Sequence, residues 1–138
     1  MMDKKFSHLD NKGNARIVDI SKKQKSSRYA KAQASVWLSK KILTMIKNDN
    51  FKKGNVINVA RIAGIMGAKQ TSNLIPLCHN ITLDSNEINF RFLEEELEIV
   101  STVKSEEKTG VEMEALTAVA VTALTIYDMV KGVDKSVY

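Results

Sequence analysis

The sequence predicts an α+β fold, an antiparallel sheet with helices packed on one face. Three observations carry that expectation. An alternating apolar stretch lies near the N-terminus, two further alternating stretches flank an acidic turn, and two long segments carry helical periodicity.

Residues 1–27 are polar and rich in Lys; "SKKQKSS" (Ser21–Ser27) reads as an exposed loop or a disordered tail. We expect a partly flexible N-terminal segment over 1–27 and a single α+β domain over 28–138. From Arg28 to Leu38 the residues Ala30, Ala32, Ala34, Val36 and Leu38 share one face, and Tyr29, Lys31, Gln33, Ser35 and Trp37 the other. That is a strand. Ser39 reads as an N-cap, followed by a helix with Ile42, Leu43 and Ile46 on one stripe. Lys47–Asn55 is a loop with Gly54 at its turn.

Val56 to about Ser72 reads as a second helix. Ala60, Ala63, Gly64, Gly67 and Ala68 give it a smooth side. A mid-helix Gly costs roughly 1 kcal/mol against Ala, so Gly64 and Gly67 point to a close contact with a neighbouring backbone. Pro76 ends any helical continuation. Glu87–Leu93 and Leu97–Lys104 form a hairpin around the Glu94–Glu96 turn, with Ile88, Phe90 and Phe92 on one face. Ser105–Gly110 reads as a loop. Val111 to about Val133 is a long helix, apolar on most sides, which suggests burial by both the sheet and another subunit.

A chain of 138 residues fits one domain, and 43% hydrophobic residues can build its core. The single Cys excludes an intrachain disulfide and fits a reducing compartment. Met1–Asp10 has no apolar stretch of signal-peptide length, and the apolar run Ala115–Ile126 is too short to cross a bilayer. The expectation is a cytosolic protein that makes no use of membranes. The net charge of +5 favours an anionic partner: nucleotide, nucleic acid or acidic surface.

Four segments stand out: "HLDNKGNARIVDIS" (His8–Ser21), "KKGN" (Lys52–Asn55), "ARIAGIMGAKQTSNLIPLCHN" (Ala60–Asn80) and "KTGVEMEALTAVAVTALTIYDMVK" (Lys108–Lys131). Together, and in this order, they resemble the cyclic pyranopterin monophosphate synthase family over nearly the whole chain. "TGVEMEALTA" followed by "ALTIYDM" is the most specific part. The resemblance implies a ferredoxin-like α+β fold and a cytoplasmic lyase of molybdenum cofactor biosynthesis. It implies a hexamer of three dimers with the site at the dimer interface. The implied substrate is 3′,8-cyclo-7,8-dihydroguanosine triphosphate, rebuilt into a pyranopterin with a cyclic phosphate and released pyrophosphate. No resident cofactor is implied; Mg²⁺ accompanying the triphosphate is left open.

Carried over residue by residue, the family's catalytic positions fall on Lys53, Asp128 and Lys131. Its substrate-binding positions fall on Leu77, Cys78, His79, Lys69, Glu112, Met113 and Glu114. Part of this also follows from spacing: Asp128 and Lys131 are three apart, so on a helix they can touch. Spacing alone would make them an ordinary surface pair, and Glu112 and Glu114 ordinary acids at a helix start. His8, Cys78 and His79 do not form a metal set. Gln70 stands where the family commonly has Arg, Asn80 where it has Pro, and Asn55 where it has Asp. The family usually continues beyond the position of Tyr138 into a Gly- and Lys-rich tail. The main rival, an RNA-binding sheet, would need Phe90 and Phe92 exposed on the open face.

Overall fold

The computed structural model describes residues 6–138; the first five residues of the polar N-terminal segment lie outside it. Its elements are β1 (Ser26–Trp37), α1 (Lys40–Lys47), α2 (Val56–Lys69), α3 (Thr71–Leu74), β2 (Ser85–Phe92), β3 (Glu96–Glu107) and α4 (Glu112–Val130). The sheet order is β1-β3-β2, with β3 antiparallel to both neighbours. Strands and longer helices follow as β-α-β-β-α, an α+β arrangement with one three-stranded antiparallel sheet.

Register explains the core. Ala30, Ala32 and Val36 of β1 stand opposite Val103, Ser101 and Leu97 of β3. Ile88, Phe90 and Phe92 of β2 stand opposite Ser101, Ile99 and Leu97. These alternate residues face one side, where α4 lies across β1 and β3 and α2 lies beside it over β2. Phe90 and Phe92 pack against that core, with Arg61 of α2 over the Phe90 ring and Lys47 of α1 over Phe92. The other sheet face carries the nearly buried Glu98, bonded by Arg91 and Gln33. Phe90 and Phe92 are thus not exposed on the open face, where an RNA-binding sheet would need them.

Several boundaries differ from the sequence reading: β1 starts at Ser26 rather than Arg28, β2 at Ser85 rather than Glu87, and α4 ends at Val130 rather than about Val133. β3 runs through the segment read as a loop, to Glu107, because Ser105, Glu106 and Glu107 pair with Arg28, Ser27 and Ser26. Those partners are remote in sequence, so local polarity concealed them. α2 ends at Lys69 rather than Ser72. The buried Thr71 hydroxyl donates to the Ala68 carbonyl, and a new turn, α3, begins there.

Ser39 caps α1 as the sequence suggests, its Oγ accepting from Ile42 N–H; at α2 the cap is Asn55, a residue read only as the end of a loop, whose Oδ1 accepts from Asn58 N–H. Asn55 thus does at the start of α2 what an Asp would do. The smooth side of α2 also has its expected partner. A Cβ built on Gly64 would stand 2.0 Å from Thr122 Oγ1 and 3.0 Å from the Ala118 carbonyl, and one on Gly67 would stand 2.7 Å from Val121. The absent side chains let α2 and α4 touch. α4 is long and apolar enough to be taken for a membrane span, yet it is the core helix, with nine buried residues. At the outer edge of β1, Trp37 and Tyr138 exchange both backbone hydrogen bonds and stack their rings.

Candidate active site

The two ends of α4 carry the two groups of predicted residues. At its start, the turn from β3 through Thr109 and Gly110 brings Glu112, Met113 and Glu114 against the loop that follows α3. Six of the seven predicted binding residues meet there: Leu77, Cys78, His79, Glu112, Met113 and Glu114 all line one hollow. Glu114 is 5% exposed. Burial pushes its carboxyl above the usual range, and the nearby Glu112 charge adds to this. Burial, then the charges of Glu114 and Glu112, pushes the Cys78 thiol up as well. Glu112 folds back over Gly110, where a Cβ would stand 2.1 Å from its Oε2.

Lys69 is not part of this group. It ends α2 beside Leu83, Asp84, Ser85 and Asn86, in a separate groove. Gln70 closes the same helix, and its side-chain oxygen accepts from Asn73. Asn80 reaches only the Ser72 hydroxyl, at 3.5 Å.

The N-terminal segment closes the hollow. His79 Nε2 bonds to the Val18 carbonyl, and Lys108 Nζ donates to the Ser21 carbonyl. Further upstream Leu9 and Ala15 form a bridge, and Asp10 accepts from the backbone N–H groups of Lys12 and Asn14. Gly13, at φ +78, makes the turn. This small hairpin sets His8 on the wall of the hollow. Sequence reasoning quoted His8 in its motif, and Thr109 and Gly110 in another, without placing them in the site. The Asp-x-x-Gly turn after His8 was the available signal.

At the other end of α4, Lys131 Nζ lies 3.0 Å from Asp128 Oδ1. Lys53 reaches in from the loop before α2 and donates to the Asp128 backbone carbonyl at 3.0 Å. Gly54, at φ +112, allows the bend that presents it. Hydrogen bonding and charge from Lys131, then the charge of Lys53, hold the Asp128 carboxyl below its usual range. The cluster is open to solvent: the Lys131 and Asp128 side chains are 51% and 64% exposed.

A buried acid beside imidazoles thus stands at one end of α4, and two ammonium groups beside a carboxylate at the other, groups of the kind that acid–base chemistry uses. The chain belongs to the MoaC family, whose model matches residues 17–138. It is 51% identical over 130 residues to a protein of Peptoclostridium acidaminophilum, covering 94% of this chain and 83% of the relative. It is 52% identical over 136 residues to one from Clostridium perfringens strain SM101 (97% and 86% covered) and 47% over 132 residues to one from Streptomyces griseus (96% and 75%). All three are named cyclic pyranopterin monophosphate synthase.

Proposed function

We propose that this protein is a cyclic pyranopterin monophosphate synthase, a lyase that converts 3′,8-cyclo-7,8-dihydroguanosine triphosphate into the cyclic monophosphate and pyrophosphate. The observation that carries the proposal is the arrival of six family binding positions in one hollow while Lys53, Asp128 and Lys131 form one cluster. In the reaction a ribose hydroxyl displaces pyrophosphate from the α-phosphorus, and the purine carbons are rebuilt. Lys53 and Lys131 neutralise phosphate charge and supply protons; Asp128, kept ionised, orients Lys131. The substrate travels with Mg²⁺ where that ion is present, and the protein acts in the cytoplasm without nucleic acid.

The site is shared between two subunits in this proposal. Glu114 and Asp128 lie on one unbroken helix, fourteen residues apart, so about 21 Å separates them along its axis. One reacting centre needs its acid and base groups within about 3 Å. The hollow at the start of α4 is about 140 Å³, whereas small-molecule sites span roughly 300–1,000 Å³. One chain thus supplies part of a site. Leu116, Leu124 and Tyr127 of α4 and Val59, Ile62 and Met66 of α2 form exposed apolar stripes on the helix layer. A second copy laid antiparallel across them brings the start of one α4 to the end of the other and makes two equivalent sites. Three such dimers form the proposed hexamer. Mixing an inactive Asp128→Ala protein with an inactive Glu114→Ala protein tests this: recovered pterin product is expected, since one site in each mixed dimer carries neither substitution. Proven heterodimers without activity would refute the shared site.

A further inference from the structure

The chain contains two histidines, and both lie on the wall of the same hollow. They are not equivalent. His79 spends Nε2 on the Val18 carbonyl, so that nitrogen fastens the N-terminal segment over the hollow. Among the described residues, no side-chain hydrogen bond occupies the His8 ring. Its main chain, by contrast, is held: Arg16 N–H donates to the His8 carbonyl at 2.8 Å, the Leu9–Ala15 bridge follows, and Asp10 ties the turn. A fixed backbone thus offers an unengaged imidazole to a hollow whose other polar wall is Glu112 and Glu114.

This wall has a chemical preference. Two carboxylates repel a triphosphate and accept hydrogen bonds from N–H groups. A guanine-type base presents such groups on one edge, its ring N–H and exocyclic amine, with a carbonyl oxygen beside them. The carbonyl needs a donor, and neither carboxylate is one when ionised. We propose that His8 is a specificity-determining residue, donating from its imidazole to the carbonyl of the guanine-type base while the glutamates accept from the adjacent N–H groups. This rests on the proposed function for the presence of such a base. An adenine-type base lacks the ring N–H and adjacent amine that the glutamates accept from, and it has no carbonyl to receive the His8 donor.

Equilibrium binding of GTP and ATP to the full chain, read by calorimetry, tests His8 without turnover. The wild type should prefer GTP. His8→Ala should weaken GTP binding about tenfold, the scale of one hydrogen bond left unmade, and leave ATP binding unchanged. His8→Gln, which keeps a donor, should recover part of the preference, and both variants should keep the wild-type melting temperature. A wild type that binds both nucleotides alike overturns the assignment. So does a His8→Ala protein with undiminished preference, or an equal loss in both variants with lowered melting temperatures. Pyrophosphate release from the cyclo-dihydro triphosphate by the wild type judges the proposed function separately.

Discussion

The start and the end of α4 are built from the same kinds of residue and behave oppositely. Glu114 at the start is buried, and its proton is held more tightly than in water. Asp128 at the end is exposed beside two lysines, and its proton is held less tightly. Both are carboxylates on one helix, so residue type does not set the difference. Solvation and neighbouring charge do. Glu114 gains a proton-holding character from the sheet and the Leu77–His79 loop that cover it. Asp128 stays a carboxylate and keeps two ammonium groups in place. The first end suits recognition of N–H groups and proton storage; the second suits a phosphate chain.

The contrast is broken most severely at the exposed end. Lys53→Ala, Asp128→Ala and Lys131→Ala should each lower product formation by roughly 10²–10⁴-fold, the usual range for a positioned acid or base. These side chains are solvated, so oligomer size should hold and melting temperatures should move only slightly. Pterin fluorescence, with thermal melting and gel filtration alongside, measures both; near-native turnover in all three would remove this end from the site.

The seam that holds the two ends on one rigid helix should respond next. Gly64→Ala pushes a methyl into Thr122, Ile88 and the Ala118 carbonyl, and should cost about 1–3 kcal/mol of stability. Gly132, past the end of α4, has open space around its Cβ position, so Gly132→Ala should leave the melting temperature near that of the wild type. Equal effects at the two glycines would contradict the close α2–α4 contact.

The smallest effect sharpens the comparison by its sign. Since the Glu114 carboxyl is raised in the folded chain, its contribution to stability is present at pH below the ordinary carboxylate range. It is lost as pH rises through the raised value. Glu114→Gln is neutral throughout, so it should melt above the wild type at neutral pH and lose that advantage below about pH 4. Asp128→Asn should differ in the other direction, because a lowered carboxyl adds stability at neutral pH that disappears on acidification. Melting curves over pH 3–8 decide both signs; a wild type more stable than Glu114→Gln at neutral pH would mean that Glu114 is not penalised by burial.

Much of this was legible in advance where the signal was local. Period-two alternation placed β1 and the β2–β3 hairpin, the smooth side of α2 announced its contact, and the three-residue spacing of Asp128 and Lys131 announced their pairing. The resemblance of the motifs supplied the candidate site residues, which spacing could not. The last turn of β3 was hidden because "SEE" reads as polar loop until β1 pairs with it. Lys69 was grouped with the site by motif, but the end of α2 carries it into another groove. The Asp10–Gly13 turn after His8 signals a local bend, but not that this bend will carry His8 to Glu112 and Glu114.

The sequence by itself determined the types of the longer elements, the Ser39 cap, the α+β class and, through its motifs, the family. Each depends on contacts within a few residues or on a pattern read along the chain. Only the tertiary structure decided which residues meet. It brought loop 77–79, the N-terminal hairpin and the start of α4 around one hollow, shifted the Glu114 and Asp128 carboxyls in opposite directions, and put the two clusters at opposite ends of one helix. Those outcomes depend on burial and on approaches between distant segments, and neither distance nor dielectric is written in local residue order.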